Sequence, residues 1–208
     1  MSEVGEISIR AAVAKDVDRI AEIMHGEPGP ELVGIVGDRE RASAFGRGLV
    51  RLERIPNASR PAVVAERDDL VVGVLQYALG RSHSPVDLQT VLLAVRVGGL
   101  IRTLQSLPRV RARGRVDLSP PPGAFYIAEL HVDPTSRSSG IGGTLLDWAD
   151  ERARGLGIEH MALVTYSTNR ARHLYERKGY VVTASRFDER YERYTGIPGR
   201  LLMEKHLP

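Results

Sequence analysis

The stretch YIAELHVDPTSRSSGIGGTLLDWADERA, residues 126–153, decides how this chain is read. An apolar, strand-like run from Tyr126 to Val132 enters a turn at Asp133-Pro134, passes through Ser and Gly, and continues as an amphipathic helix. Leu145, Leu146, Ala149 and Ala153 set the apolar side of that helix. The first turn of a helix leaves backbone N–H groups without partners, and the aligned peptide dipoles add partial positive charge. An anion fits there, phosphate above all. Gly140, Gly142 and Gly143 remove Cβ atoms, so a ligand can come close to the main chain. Ser138 and Ser139 add hydroxyl donors, and Arg137 adds a permanent charge whose planar fork suits phosphate. The two familiar nucleotide loops do not match. The Lys-Ser/Thr of the Walker pattern is missing, and the dinucleotide fingerprint wants Gly or Ala at 145, where the chain has Leu. An isolated Gly-x-Gly is more often a plain structural turn.

Working outward, EISIRAA (6–12) reads as a first strand. A helix follows, with Val17, Ile20, Ile23 and Met24 at helical spacing, Asp16 as N-cap and Gly26 as stop. GEPGPELVG (26–34) reads as a loop, and residues 39–54 as a helix that Gly46 and Gly48 weaken. AVVAE and LVVGVLQYAL form a hairpin around Arg67-Asp68-Asp69. FYIAELHV (125–132) alternates imperfectly and is expected to be buried on both faces. HMALVTYS (160–167) is another strand and NRARHLYERKG (169–179) another helix. YVVTASRF and RLLMEKHL close the chain as strands around a polar, Tyr-rich loop. This order predicts a mixed α/β fold in one domain, residues 1–208, with helices on both faces of its sheet.

Composition narrows the function classes. A hydrophobic fraction of 42% and a charged fraction of 26% are ordinary for a soluble globular chain. The absence of Cys excludes disulfides, thiolate metal sites and a catalytic thiol. The N-terminus is acidic and lacks a continuous apolar core, so no signal peptide is expected. No run approaches about 18 uninterrupted apolar residues, so no integral membrane segment is expected and the cytoplasm is the default location. The net charge is +3, and Lys occurs only at 15, 178 and 205. That Arg bias reads as the composition of a G+C-rich bacterial genome rather than a nucleic-acid code, and no nucleic-acid partner is expected. The His residues show no metal-ligand spacing, so no metal is expected either.

Val132-Asp133-Pro134 followed by Arg137-x-x-Gly140-x-Gly142 resembles motif A of the GNAT superfamily of acyl-CoA N-acyltransferases. Ala171-x-x-Leu174-Tyr175-Glu176-x-x-Gly179-Tyr180 resembles that superfamily's second signature. The resemblance spans roughly residues 6–80 and 124–206, and is sharp over 125–182. It implies a central, mostly antiparallel sheet of six to seven strands, interrupted between the third and fourth by the segment 81–123. It further implies acetyl-CoA as co-substrate, its pyrophosphate held by the amides of Ser138, Ser139, Gly140, Ile141, Gly142 and Gly143, with Arg137 alongside. The main chain of Leu130, His131 and Val132 would pair with the pantetheine arm. A backbone N–H near Val132 would face the carbonyl oxygen as it gathers charge.

Tyr175 is the acid that the resemblance implies, since a phenol is protonated at neutral pH and can donate to a departing thiolate. The base is open. Glu129 and His131 share a strand face. Several relatives place a glutamate at the positions of Ala128 or Tyr126, so either Glu129 acts from a shifted position, or a water chain does the work, or the amine arrives already neutral. Position 168, often Asn in relatives, is Thr; Asn169 then either serves the coenzyme arm or caps the helix that follows. The implied activity is direct transfer of acetyl from acetyl-CoA to a primary amine, on a small molecule or a peptide, in a ternary complex. A non-catalytic acyl-CoA sensor is the alternative.

The segment 81–123 reads as helical at first, with a break at Gly98-Gly99, then carries Arg109, Arg111, Arg113 and Arg115 before a Pro-rich hinge. It is longer than a usual connection. Three readings stay open: a helix pair packed on the core or on a second subunit in a homodimer, a lid over the acceptor pocket, or a peripheral anchor on anionic lipid or nucleic acid. The segment lacks the aromatic residues typical of the last.

Overall fold

The computed structural model of the chain describes residues 6–53, 61–79 and 88–208. The ends of two segments discussed above, 1–5 and 81–87, and position 54 of the third helix lie outside them. The strands are β1 (Ser8–Ala11), β2 (Ala62–Arg67), β3 (Leu70–Leu79), β4 (Phe125–Val132), β5 (His160–Tyr166), β6 (Val181–Phe187) and β7 (Gly199–His206). The α-helices are α1 (Val17–His25), α2 (Pro30–Val36), α3 (Arg39–Leu52), α4 (Leu88–Arg115), α5 (Ile141–Gly155), α6 (Arg172–Arg177) and α7 (Glu189–Thr195). They build one seven-stranded sheet in the order β1-β2-β3-β4-β5-β7-β6. Only the β4–β5 pair is parallel; the other pairs are antiparallel. The mixed α/β class, the mostly antiparallel sheet and the helices on its two faces are as the sequence predicted.

One face of the sheet carries α5 and α6. Ile141, Leu145, Leu146, Ala149 and Ala153 of α5 pack with Tyr175 of α6 against Val63, Leu75, Phe125, Ile127, Met161 and Met203 of the strands. The other face carries α1 and α3 over the first strands, where Ile20, Ile23, Met24 and Val50 cover Val64, Val71 and Val74. Farther along that face, Ala112 and Val116 pack with Tyr191 and Ile197.

Two stretches read as loops are helical. Pro30 takes the first helical position of α2, where its missing N–H costs nothing, and Gly37 closes the helix at φ 108°. In α7 the Asp188 carboxylate accepts from the N–H groups of Arg190 and Tyr191, and Gly196 stops the helix at φ 71°. Both helices have seven residues, too few for an apolar period to show. Asp16 stands at the N-cap of α1, but its side chain does not cap that helix. Its carboxylate accepts from the Val13 N–H at 2.9 Å and from Arg10 at 2.7 Å, tying the helix entry to β1. Arg10 holds the Asp16 carboxyl below the usual carboxylate range. Helix α6 is shorter than read, because Asn169 to Ala171 form the turn that starts it. The predicted break in α4 is at Gly99, whose φ of 77° and ψ of 162° separate two helical segments.

The register of β4 explains its broken alternation. Gln76 pairs with Glu129 and Tyr77 with Ile127, so Ala128 is an extra residue in the strand. This bulge inverts the parity. Phe125 and Ile127 face the α5 side before it, and Leu130 and Val132 face that side after it. Glu129 and His131 therefore fall on the opposite face.

Candidate active site

β4 and β5 pair only over Phe125–Ile127 with Met161–Leu163. Beyond the bulge they separate, while β4 stays paired with β3 through Leu130, His131 and Val132. A bulge bends its strand and raises the local twist, which turns the second half of β4 away from β5. A cleft opens, lined on one side by main-chain groups of β4 that no strand takes up. Leu130 and Val132 pack their side chains against the α5 core, so what they offer the cleft is backbone.

At the end of β4, Asp133 builds the turn. Its carboxylate accepts from the Thr135 N–H and hydroxyl and from Arg19 of α1 at 2.6 Å. The Thr135 hydroxyl, first, and the Arg19 charge hold its carboxyl below the usual range. Arg137, Ser138, Ser139 and Gly140 follow, all exposed. Ser138 (φ 64°) and Gly140 (φ 86°) are left-handed, which aims successive N–H groups outward ahead of α5. Gly140 N-caps α5, and nothing lies within 4 Å of where its Cβ would stand.

The other two glycines lie against α6. A Cβ on Gly142 would meet Leu174 Cδ2 at 3.0 Å, and one on Gly143 would meet Lys178 Cε at 3.5 Å. Gly142 thus lets Leu174 of α6 come close to α5, while a Cβ on Gly143 would make only ordinary contact; Gly140 keeps its Cβ side open. The Ile141 side chain is likewise core, leaving its amide to the turn. Two cations join Arg137 here that the sequence did not point out. Arg67 donates to the Ser139 hydroxyl at 3.4 Å. Lys178, ion-paired with Asp147, would have its Nζ 3.7 Å from that Gly143 Cβ. Arg67 comes from another hairpin and left no local signal. Lys178 sits at the end of α6, a common place for a cation. Arg137 itself lies 3.7 Å from Glu27.

On the far side of the bulge, Glu129 and His131 do share a face. His131 Nε2 and Glu129 Oε2 are 2.8 Å apart. A third group joins them: the ring of His25, from the end of α1, lies 6.4 Å from that of His131. The His25 ring occupies the space where Gly46 of α3 lacks a side chain; a Cβ there would clash with His25 Cγ. Burial pushes the His25 pKa down to about 4, against the raising effect of Glu129. His25 is thus held neutral. In the sequence His25 is only a histidine near the end of a helix, and the glycine that makes room for it is 21 positions later.

Tyr175 faces inward from α6, 6% exposed and edge-on to Tyr180 at 6.3 Å. Burial, aided by the Glu129 charge, raises its phenol well above the ordinary value, so the proton stays on at any physiological pH. Asn169 accepts from the Ala171 N–H at 3.0 Å and donates to Thr165 at 2.8 Å, closing the turn ahead of α6, whose N-cap is Ala171. Among the described residues no cluster of His and carboxylates has the arrangement of a metal site.

A family model for the acetyltransferase (GNAT) family matches residues 38–180, more than half of the chain. The chain belongs to the GNAT acetyltransferase family. It is an acyltransferase by that membership. None of the curated proteins matches it. Solved structures share its fold over nearly its whole length. A histone acetyltransferase HPA2 and related acetyltransferase from Corynebacterium glutamicum is 20% identical, with a TM-score of 0.68 and 97% of each chain covered. The PaiA N-acetyltransferase of Thermoplasma acidophilum, solved with coenzyme A, is 14% identical, with a TM-score of 0.57 over 97% of this chain and 99% of that one. A mosquito arylalkylamine N-acetyltransferase like 5b is 21% identical, with a TM-score of 0.56 over 97% and 100%.

Proposed function

We propose that this GNAT protein transfers an acetyl group from acetyl-CoA directly to a primary amine, with both substrates bound at once. The observation that carries this reading is the cleft between β4 and β5. It has an open, cation-flanked helix N-terminus at one end and a buried phenol and a Glu–His–His cluster beside it. The turn amides from Ser138 to Gly143, with Arg67, Arg137 and Lys178, suit a pyrophosphate. The main chain of Leu130 to Val132, paired with β3 but with no strand on its β5 side, suits an extended arm that carries amides.

In the reaction, the amine nitrogen bonds to the thioester carbonyl carbon and the carbon–sulfur bond breaks. Tyr175 gives its proton to the departing sulfur. The proton lost by the amine passes to the Glu129 carboxylate or, through it, to His131. The bulge is what aims Glu129 across the sheet to that position; without Ala128 as an extra residue it would share the core-facing parity of Ile127. A carboxylate beside the acceptor end also favours an amine that arrives as a cation.

The test is thiol release from acetyl-CoA over a panel of amines and peptides, alongside calorimetric titration of acetyl-CoA. Binding that Ser139→Glu abolishes, with amine-dependent thiol release that Tyr175→Phe lowers, is the expected result. Tight binding with no release by any amine would favour a sensor. An acetylated enzyme isolated without acceptor would overturn direct transfer.

A further inference from the structure

Helix α4 carries an apolar surface that the fold does not cover. Its inner side is accounted for: Leu93 lies against Gly48 of α3, Arg109 reaches the Gly34 carbonyl and the Tyr194 ring, and Arg113 pairs with Glu31 at 2.9 Å. Its outer side is not. Leu88, Leu92, Leu100, Ile101, Leu104 and Leu107 are between 45% and 73% exposed. In the second segment Leu100, Leu104 and Leu107 are four and three apart, so they line one stripe. The most apolar 18 residues of α4 reach a mean hydropathy of 1.2, and none of them is buried. An apolar surface of that extent marks an interaction site.

Charge selects the occupant. From Leu88 to Val116 the chain holds six Arg and no Asp or Glu. Arg96, Arg102 and Arg111 are exposed on the helix beside the leucines. Two copies meeting through this face would set arginines against arginines with no carboxylate from either helix to answer them. Nucleic acid would satisfy the charge, but aliphatic side chains offer bases no stacking surface and the helix has no aromatic residue. An anionic lipid surface satisfies both: leucines enter the acyl boundary while the arginine stems extend to the headgroups.

Spanning is disfavoured by the same residues. Gly99 breaks the backbone ladder in the middle of the helix, and groups freed there need water or headgroups as partners. The inner side of α4 also stays packed on the domain. We propose that the outer face of α4 docks this protein on membranes bearing anionic lipid, with the helix lying in the interface. Ala112 on the inner side, and Val116 just past the helix, pack with Tyr166 at the end of β5, so the docking element is joined to the strand beside β4.

The full chain is tested by co-sedimentation with phosphatidylcholine vesicles, with and without phosphatidylglycerol. Wild type should sediment with the anionic vesicles at low salt and be released at high salt. Leu100→Glu/Leu104→Glu and Arg102→Glu/Arg111→Glu should each weaken binding at least about tenfold with the circular dichroism spectrum unchanged. Leu70→Glu, an equally exposed leucine at the start of β3, should bind as wild type. Folded wild type that stays in the supernatant overturns the proposal. So does a leucine variant that binds undiminished. A wild-type dimer that becomes a monomer in the leucine variant assigns the face to a second copy instead, and DNA binding lost only in the arginine variant assigns it to nucleic acid.

Discussion

Tyr175 and His25 show how burial prepares two side chains in opposite senses. Desolvation disfavours charge, so it keeps the phenol protonated and the imidazole neutral. Tyr175→Phe removes the donor but keeps the ring that packs against Tyr180. Turnover should fall about a hundredfold while acetyl-CoA affinity stays level, read by steady-state kinetics and calorimetry. His25 has a stability signature. Its folded pKa of about 4 lies below the ordinary value of 6.5, so the unfolded chain binds more protons between those values. The stability it supports is whole above pH 6.5 and is lost as the pH falls towards 4. Thermal unfolding at both ends of that window should show wild type losing about 1–3 kcal/mol more than His25→Gln. Equal losses would mean the ring is not held neutral.

At the scale of elements, the turn after β4 depends on Asp133 and the α5–α6 contact on Gly142. Asp133 is 7% exposed and accepts from a backbone N–H, a hydroxyl and Arg19. Asp133→Ala orphans all three donors and should lower stability by about 1–3 kcal/mol in urea unfolding. Because the Asp133 carboxyl is held low, the part of stability it supports is present at neutral pH and fades as acid protonates it. A Cβ on Gly142 would press on Leu174, the residue next to Tyr175. Gly142→Val should therefore cost about 1–3 kcal/mol of overpacking and disturb Tyr175 as well. A variant at this glycine that kept full stability would show that α6 can withdraw freely.

Over the whole molecule, α5 is tied to the distal strand β7 by the ion pair of Lys205 with Asp150, 13% and 11% exposed. Lys205→Met leaves Asp150 enclosed without its cation and should destabilise the protein by about 3–5 kcal/mol, measured by denaturant unfolding. Replacing both partners by apolar residues should recover most of that loss. Acetyl-CoA should raise the melting temperature of wild type, since a ligand at a hundred times its Kd adds about 2.7 kcal/mol. No shift at saturating ligand would separate this chain from the binding behaviour proposed for it.

The amino-acid pattern by itself determined the order of strands and long helices, the turn ahead of α5, and the family. Those are local signals: alternation, helical spacing, and turn residues at fixed offsets. Helices α2 and α7 escaped it, because seven residues set by caps carry no period. That Glu129 and His131 share a face was reached by alternation, but the bulge that sets which face is a property of pairing with β3. Gly142 reads as ligand clearance, and in the fold its missing side chain also makes room for Leu174, since a missing side chain does not say what comes near. His25, Arg67 and Lys178 reach their places only when α1, β2 and α6 meet around β4. Contacts between residues far apart in sequence leave no periodic trace, and it is tertiary packing that brought these groups to the cleft and left the outer face of α4 uncovered.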